Sequence, residues 1–176
     1  MRKFIPWMAV LLLASLLCGC AGQGGADAPG AFTLQDGTRI DYTMNREQVE
    51  QIVGEPAKID TESLDHGYVE CFYEEEGFYA MYTPEGAIRA FKIDSTEIET
   101  FGGIHVMHKL AKVAKAYPKC QSTEVWTLAA FRGTENISAD SHMLDENCFW
   151  IYYLPDGDAN IRRIILMDHT FITEGK

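Results

Sequence analysis

The sequence predicts an α+β fold of two tandem repeats, each a short helix followed by an antiparallel sheet, with the helices on one face of the sheet. Three observations predict it. Helix signals with clean stops recur sixty-four residues apart, and apolar strands of period two follow each. The hairpins also superpose in sequence, FYAMYTPEG from residue 78 against FWIYYLPDG from residue 149, a spacing of 71. Their return strands match as IRAFKI and IRRIIL at a spacing of 73, after a two-residue lengthening of the turn. A helix-then-hairpin order kept in both halves reads as one body made of two repeats, 32–100 and 101–176.

The chain begins with an export signal. Met1-Arg2-Lys3 supplies the positive start, and Phe4 to Leu17 is an uncharged apolar run broken only by Pro6 and Ser15. That run is too short to anchor a mature protein across a bilayer and has the length of a signal-peptide core. It ends in Leu17-Cys18-Gly19-Cys20, which resembles a lipobox: an aliphatic residue, two small residues, then the cysteine that takes the lipid. Residues 1–19 are therefore expected to be cleaved as a signal peptide. Cys20 becomes the lipidated N-terminus, anchored on the extracytoplasmic side of a bacterial membrane.

Charge narrows the partners. The 15 Lys and Arg less Arg2 and Lys3 leave 13 to face 26 carboxylates in the mature chain. A surface so acidic repels phosphate backbones, which argues against nucleic acid. It also leaves membrane attachment to the lipid, not to a basic patch. Residues 20–31, ending in AGQGGADAPGA, are small and nearly uncharged, and read as a flexible tether.

The first helix signal runs from Met44 to Pro56. Asn45 is a good N-cap with Gln48 three residues on, and Met44 and Val49 hold the two staple positions. Val49, Ile52 and Val53 form the expected buried stripe, Gly54 suits the C-terminal turn, and Pro56 prevents continuation. The second helix, His108 to Tyr117, carries Leu110, Val113 and Tyr117 as its stripe, with Pro118 as its stop. Strands are expected at 68–74, 78–82 and 88–94, then at 125–131, 149–153 and 161–168.

Strand parity predicts which residues face outward. If Tyr82 opposes Ala87 across the turn, Phe78, Ala80, Tyr82, Phe91 and Ile93 share the face under the helices. The other face then collects Tyr79, Met81, Ile88 and Lys92, matched by Trp150, Tyr152, Ile161, Arg163 and Ile165. Aromatics, Met and cations mixed in this way have the composition of an interface centre. Tyr79, Met81, Lys92, Trp150, Tyr152 and Arg163 are thus the expected protein-binding residues. The alternative is an outer face packed against the chain's own N-terminal segment.

A short helix ending in Gly-x-Pro, then antiparallel strands, given twice, resembles the tandem β-lactamase inhibitory protein architecture. One copy of the unit is similar to the small lipoprotein of the outer-membrane β-barrel assembly machine. The resemblance covers residues 38–168, and only Asn45–Pro56 is motif-like. Gly103-Ile104-His105-Val106-Met107-His108 departs from it, where Gly-Asp would be expected after the strand. It implies helices on one sheet face and a concave face that meets partner proteins. It implies nothing about which protein is met.

Signals for chemistry are sparse. His66, His105, His108, His142 and His169 include no His-x-x-x-His pair, and no Gly-x-Ser-x-Gly or glycine-rich phosphate loop occurs. His105 and His108 straddle a strand-to-helix join, where ordinary polar residues are the simpler reading than metal ligands. Asp140, His142, Asp145 and Glu146 crowd the 133–147 segment, which reads as solvated loop before cation site. Cys71 shares a strand face with Val69 and Tyr73 and reads as a small buried hydrophobe. Cys120 and Cys148 could form a disulfide outside the cytoplasm.

These observations favour a lipid-anchored module that binds another protein, with no catalysis, no metal and no cofactor. A structural or assembly-assisting envelope lipoprotein without a specific site is the second reading. A metal-dependent protein or enzyme using the 133–147 loop is the third.

Overall fold

The computed structural model describes residues 26–62, 67–139, 145, 147–169 and 171. Residues 1–19, Cys20, His66, Asp140, His142 and Glu146 lie outside them, and the expectations placed on those residues lie there too.

Sequence order follows β1 (Ala31–Thr33), β2 (Arg39–Asp41), α1 (Arg46–Val53), β3 (Lys58–Asp60), β4 (Val69–Tyr73), β5 (Phe78–Tyr82) and β6 (Ile88–Ile93). After these come β7 (Glu99–Thr100), a 3-10 turn at Phe101–Gly103, α2 (Leu110–Ala116), β8 (Gln121–Ser122) and β9 (Thr127–Arg132). The last three are β10 (Glu135–Ile137), β11 (Cys148–Pro155) and β12 (Ile161–Asp168). One nine-stranded antiparallel sheet runs β10-β9-β11-β12-β6-β5-β4-β3, with β8 paired to β9 off that path. A second sheet of three strands runs β2-β1-β7.

The expected α+β fold of tandem helix-plus-sheet repeats is therefore corrected to a predominantly β architecture. Two causes shift the balance. The helices are only eight and seven residues long. The layer over the large sheet is also built in part by β1, β2 and β7, strands too short to announce themselves by periodicity. Phe32 of β1 meets Phe78 and Phe91 of the large sheet edge-on, with ring centroids 5.1 and 5.0 Å apart.

Local signals explain why α1 forms and how little of it is buried. The Asn45 side chain accepts from the Gln48 amide at 2.9 Å, and the Gln48 side chain accepts from the Asn45 amide at 2.9 Å. This reciprocal cap satisfies two donors that a helix start leaves open. Val49 is fully buried and Val53 packs on the same cluster, but Ile52 is 43% exposed. The expected three-residue stripe is thus corrected to a narrower one: Val49 and Val53, four apart, face the sheet, while Ile52 rolls off it. Helix α2 has no side-chain cap at Lys109 and is seated by Val113 and Tyr117, both buried.

The packed body starts earlier than composition suggests. Ala26 and Ala31 are already buried, and the Tyr42 amide donates to the Gly30 carbonyl at 2.8 Å. The end of the expected 20–31 tether is thus structured, because its small residues permit close approach. A Cβ at Gly30 would stand 3.0 Å from the Tyr42 Cβ and 3.2 Å from the Phe149 ring.

Register departs from expectation at the hairpin turns. Tyr82 pairs with Ile88, not Ala87, and the ladder shifts between Met81 and Tyr82. An equivalent shift lies between Leu154 and Pro155, where Pro155 pairs with Ile161. Each bulge inserts one extra residue and flips the next side chain across the sheet. Ile88 and Ile161, expected on the outer face, are consequently core residues, 2% and 0% exposed.

Candidate binding face

The inner face of the large sheet is sealed. Cys71, Phe78, Phe91, Ile151, Tyr153 and Leu166 all belong to one buried cluster with Phe32, Ile40, Val49 and Val113 from the covering layer. The Tyr73 and Tyr82 hydroxyls share a hydrogen bond of 3.1 Å within it, and burial pushes the Tyr73 phenol up to about 12. Burial likewise raises the Cys71 thiol, as suits a small core residue.

The outer face gathers all six residues expected to bind. Directly opposed pairs define one row across the strands: Phe72, Tyr79, Lys92, Ile165, Tyr152 and Leu128. The neighbouring row reads Glu70, Met81, Ala90, Met167, Trp150 and Ala130. Arg163, opposite Leu154, begins the third. Opposed residues share a face, so these rows form one continuous surface.

The two rows differ in accessibility. In the first, Phe72, Tyr79, Lys92, Ile165 and Tyr152 are each half-buried. In the second, Met81 and Trp150 are 5% and 8% exposed. The expectation that Met81 and Trp150 stand open to a partner is corrected: the chain covers them itself. Phe171 packs on the cluster of Tyr68, Met81 and Ala90, and His169 stacks on the Trp150 ring at 6.0 Å. Parity places a side chain on a face, but cannot show what else lies there.

Electrostatics fix the cations. Lys92 Nζ donates to Glu70 Oε1 at 2.5 Å. Arg163 donates through two nitrogens to both carboxylate oxygens of Asp94, at 2.6 and 2.5 Å, which raises its already high pKa. The same guanidinium lies 5.9 Å from the Tyr79 ring centroid, and Lys58 Nζ lies 4.9 Å from that of Phe72. Planar bidentate pairing and ring contact hold these long side chains in one geometry. Rings flank the row at both ends, with Phe72 against Tyr79 at 5.1 Å and Trp126 against Tyr152 at 6.0 Å.

Among the described residues, the other expected sites do not assemble. The Cys120–Cys148 bridge is corrected: no disulfide joins the two. Cys120 packs against the inner cluster and Cys148 sits in the outer one with Trp150, so the sheet lies between them. The His105 and His108 ring centroids lie 3.4 Å apart with the planes tilted by 37°, and Lys112 Nζ is 3.1 Å from both ring nitrogens of His108. An ammonium there competes with any metal. Among the described residues, no three His, Cys, Asp or Glu side chains converge to hold an ion. In the 133–147 segment, Asp145 pairs with Arg132 at 3.0 Å and accepts from the Asn147 amide.

No protein-family profile matches the chain, and no curated protein matches it in sequence. Two solved structures are similar to it. One is an extracellular protein containing an SCP domain from Bacillus anthracis, at 13% identity and a TM-score of 0.51 over 74% of this chain. This chain spans 45% of the length of that protein, and the likeness is one of fold. The other is a DUF4309 family protein (YjgB) from Bacillus subtilis, at 10% identity and a TM-score of 0.38, over 70% of this chain and 78% of that one. No helix among the described residues is long and apolar enough to cross a membrane.

Proposed function

We propose that the chain is an extracytoplasmic lipoprotein, tethered through Cys20, that binds another protein on the outer face of its large sheet and performs no chemistry itself. The observation that carries this reading is the half-buried row Phe72, Tyr79, Lys92, Ile165 and Tyr152. Its rings are braced and its cations held by Glu70 and Asp94 through Lys92 and Arg163. A rigid aromatic surface loses little side-chain freedom when a partner lands, and Tyr and Arg are residues that most often dominate binding energy. The extracellular character of a protein with this fold is compatible with the location that the signal sequence implies.

Two measurements test it. Intact mass of the membrane form should show a diacyl or triacyl addition on Cys20, lost in Cys20→Ala. A photo-crosslinking residue at Tyr152 in the full chain, illuminated in intact cells, should give one dominant adduct with an envelope protein. The same residue placed at Glu85, an exposed turn position, should not. Equal, diffuse labelling from both positions would contradict the reading.

A further inference from the structure

The apolar end of the outer face is occupied by the chain's own C-terminal residues. Beyond β12 the Phe171 amide donates to Asp168 Oδ1 at 2.9 Å, turning the chain back over the sheet. The Phe171 ring lies 5.8 Å from that of Tyr68 and packs against the cluster that includes Met81 and Ala90. His169 stacks on Trp150 with 27° between the ring planes. Beneath this cover Trp150 is 8% exposed, and its indole Nε1 has no hydrogen-bond partner among the described residues. An N–H buried without an acceptor is costly, and native structures rarely keep one without a reason. The self-packed arrangement satisfies the apolar surface and leaves the donor unmet among the described residues.

We propose that this end of the face is a docking groove for a peptide segment bearing an aromatic side chain, and that His169 and Phe171 fill it as an intramolecular stand-in. The inference rests on the outer face being a binding surface. The chain's own contacts specify the partner's chemistry: an aromatic ring in the place of Phe171, and a carbonyl acceptor for the Trp150 indole. The groove is continuous with the half-buried row, since Met81 and Trp150 neighbour Tyr79 and Tyr152 on their strands. A partner that lifts the strap gains both rows at once. Because the strap competes at the high effective concentration of a tethered ligand, the groove binds weakly until the strap is loosened.

The probe is a synthetic peptide with the sequence of residues 169–176, HTFITEGK. It is titrated into the isotope-labelled full chain and its Phe171→Ala variant, with the indole N–H resonance of Trp150 assigned by Trp150→Phe. The peptide should shift that resonance in the variant at a concentration at least ~10-fold lower than in the parent. A peptide with Ala in place of its Phe should shift neither. As a second readout, the Phe171→Ala substitution alone should speed hydrogen exchange of the Trp150 indole. An unchanged exchange rate, or equal peptide affinity for parent and variant, would overturn the proposal. Dimers of the full chain dissociated by the peptide would assign the groove to a second copy and overturn it as well. These failures leave the crosslinking result at Tyr152 unaffected, so the strap and the wider binding reading fall separately.

Discussion

Tyr79 and Tyr152 stand on one cross-strand row of the outer face, with only Lys92 and Ile165 between them. They come from strands β5 and β11, far apart in sequence, and the antiparallel pairing of β6 with β12 makes them neighbours on one surface. That pairing turns two separate hairpins into a single continuous face.

The narrow stripe of α1 separates two substitutions that look alike in sequence. Val49→Ala deletes fully buried methyls and should cost on the order of 2 kcal/mol. Ile52→Ala removes a half-exposed side chain and should stay within about 0.5 kcal/mol of the parent. Asn45→Ala, which breaks the reciprocal cap with Gln48, should cost about 1 kcal/mol. Urea midpoints of the three variants check the order.

The bulges make a matched pair of predictions. Ile88→Ala and Ile161→Ala should each cost about 2–4 kcal/mol, because both side chains are sealed in the inner cluster. If the side chains lay outward instead, as unbroken ladders would place them, both variants would unfold at the parent's urea concentration.

The His105–His108 turn predicts a pH dependence. The His108 pKa lies below the ordinary imidazole value because burial penalises its charged form, and His105 and Lys112 add repulsion. On acidification the unfolded chain takes up this proton before the folded one does. Stability should therefore be constant above about pH 6.5 and fall as pH drops below it. Urea midpoints at about pH 7.5 and about pH 5.5 should differ less in His108→Asn than in the parent. An imidazole titration by NMR should place His108 below the ordinary value.

Much of this was legible in the sequence where the interaction is local. Asn45 and Gln48 are three residues apart, so their cap could be read without a fold. The alternation of 78–82 and 149–153 put Tyr79, Met81, Trp150 and Tyr152 on one face correctly. What could not be read depends on distant partners. The strands β1, β2 and β7 have two or three residues each. They exist because Phe32 pairs with both Ile40 and Thr100, contacts that carry no periodic signal. The bulges at Met81 and Leu154 move Ile88 and Ile161 by one position, and parity reverses with a single extra residue. The expected Cys120–Cys148 bridge fails because a sequence does not say on which side of a sheet a cysteine arrives. The cover over Trp150 comes from residues at the chain's end, where no repeat or cap foretells it.

The central claim is that the first row of the outer face binds a partner protein, and a paired capture tests it most directly. Full-length parent and the Tyr79→Ala/Tyr152→Ala variant are compared for retention of the crosslinked envelope protein, alongside their urea midpoints. The variant should lose binding by about 2 kcal/mol or more, some thirtyfold in affinity, while its midpoint stays near that of the parent. Undiminished binding in a folded variant would contradict the account, and the outer row would then be surface and nothing more.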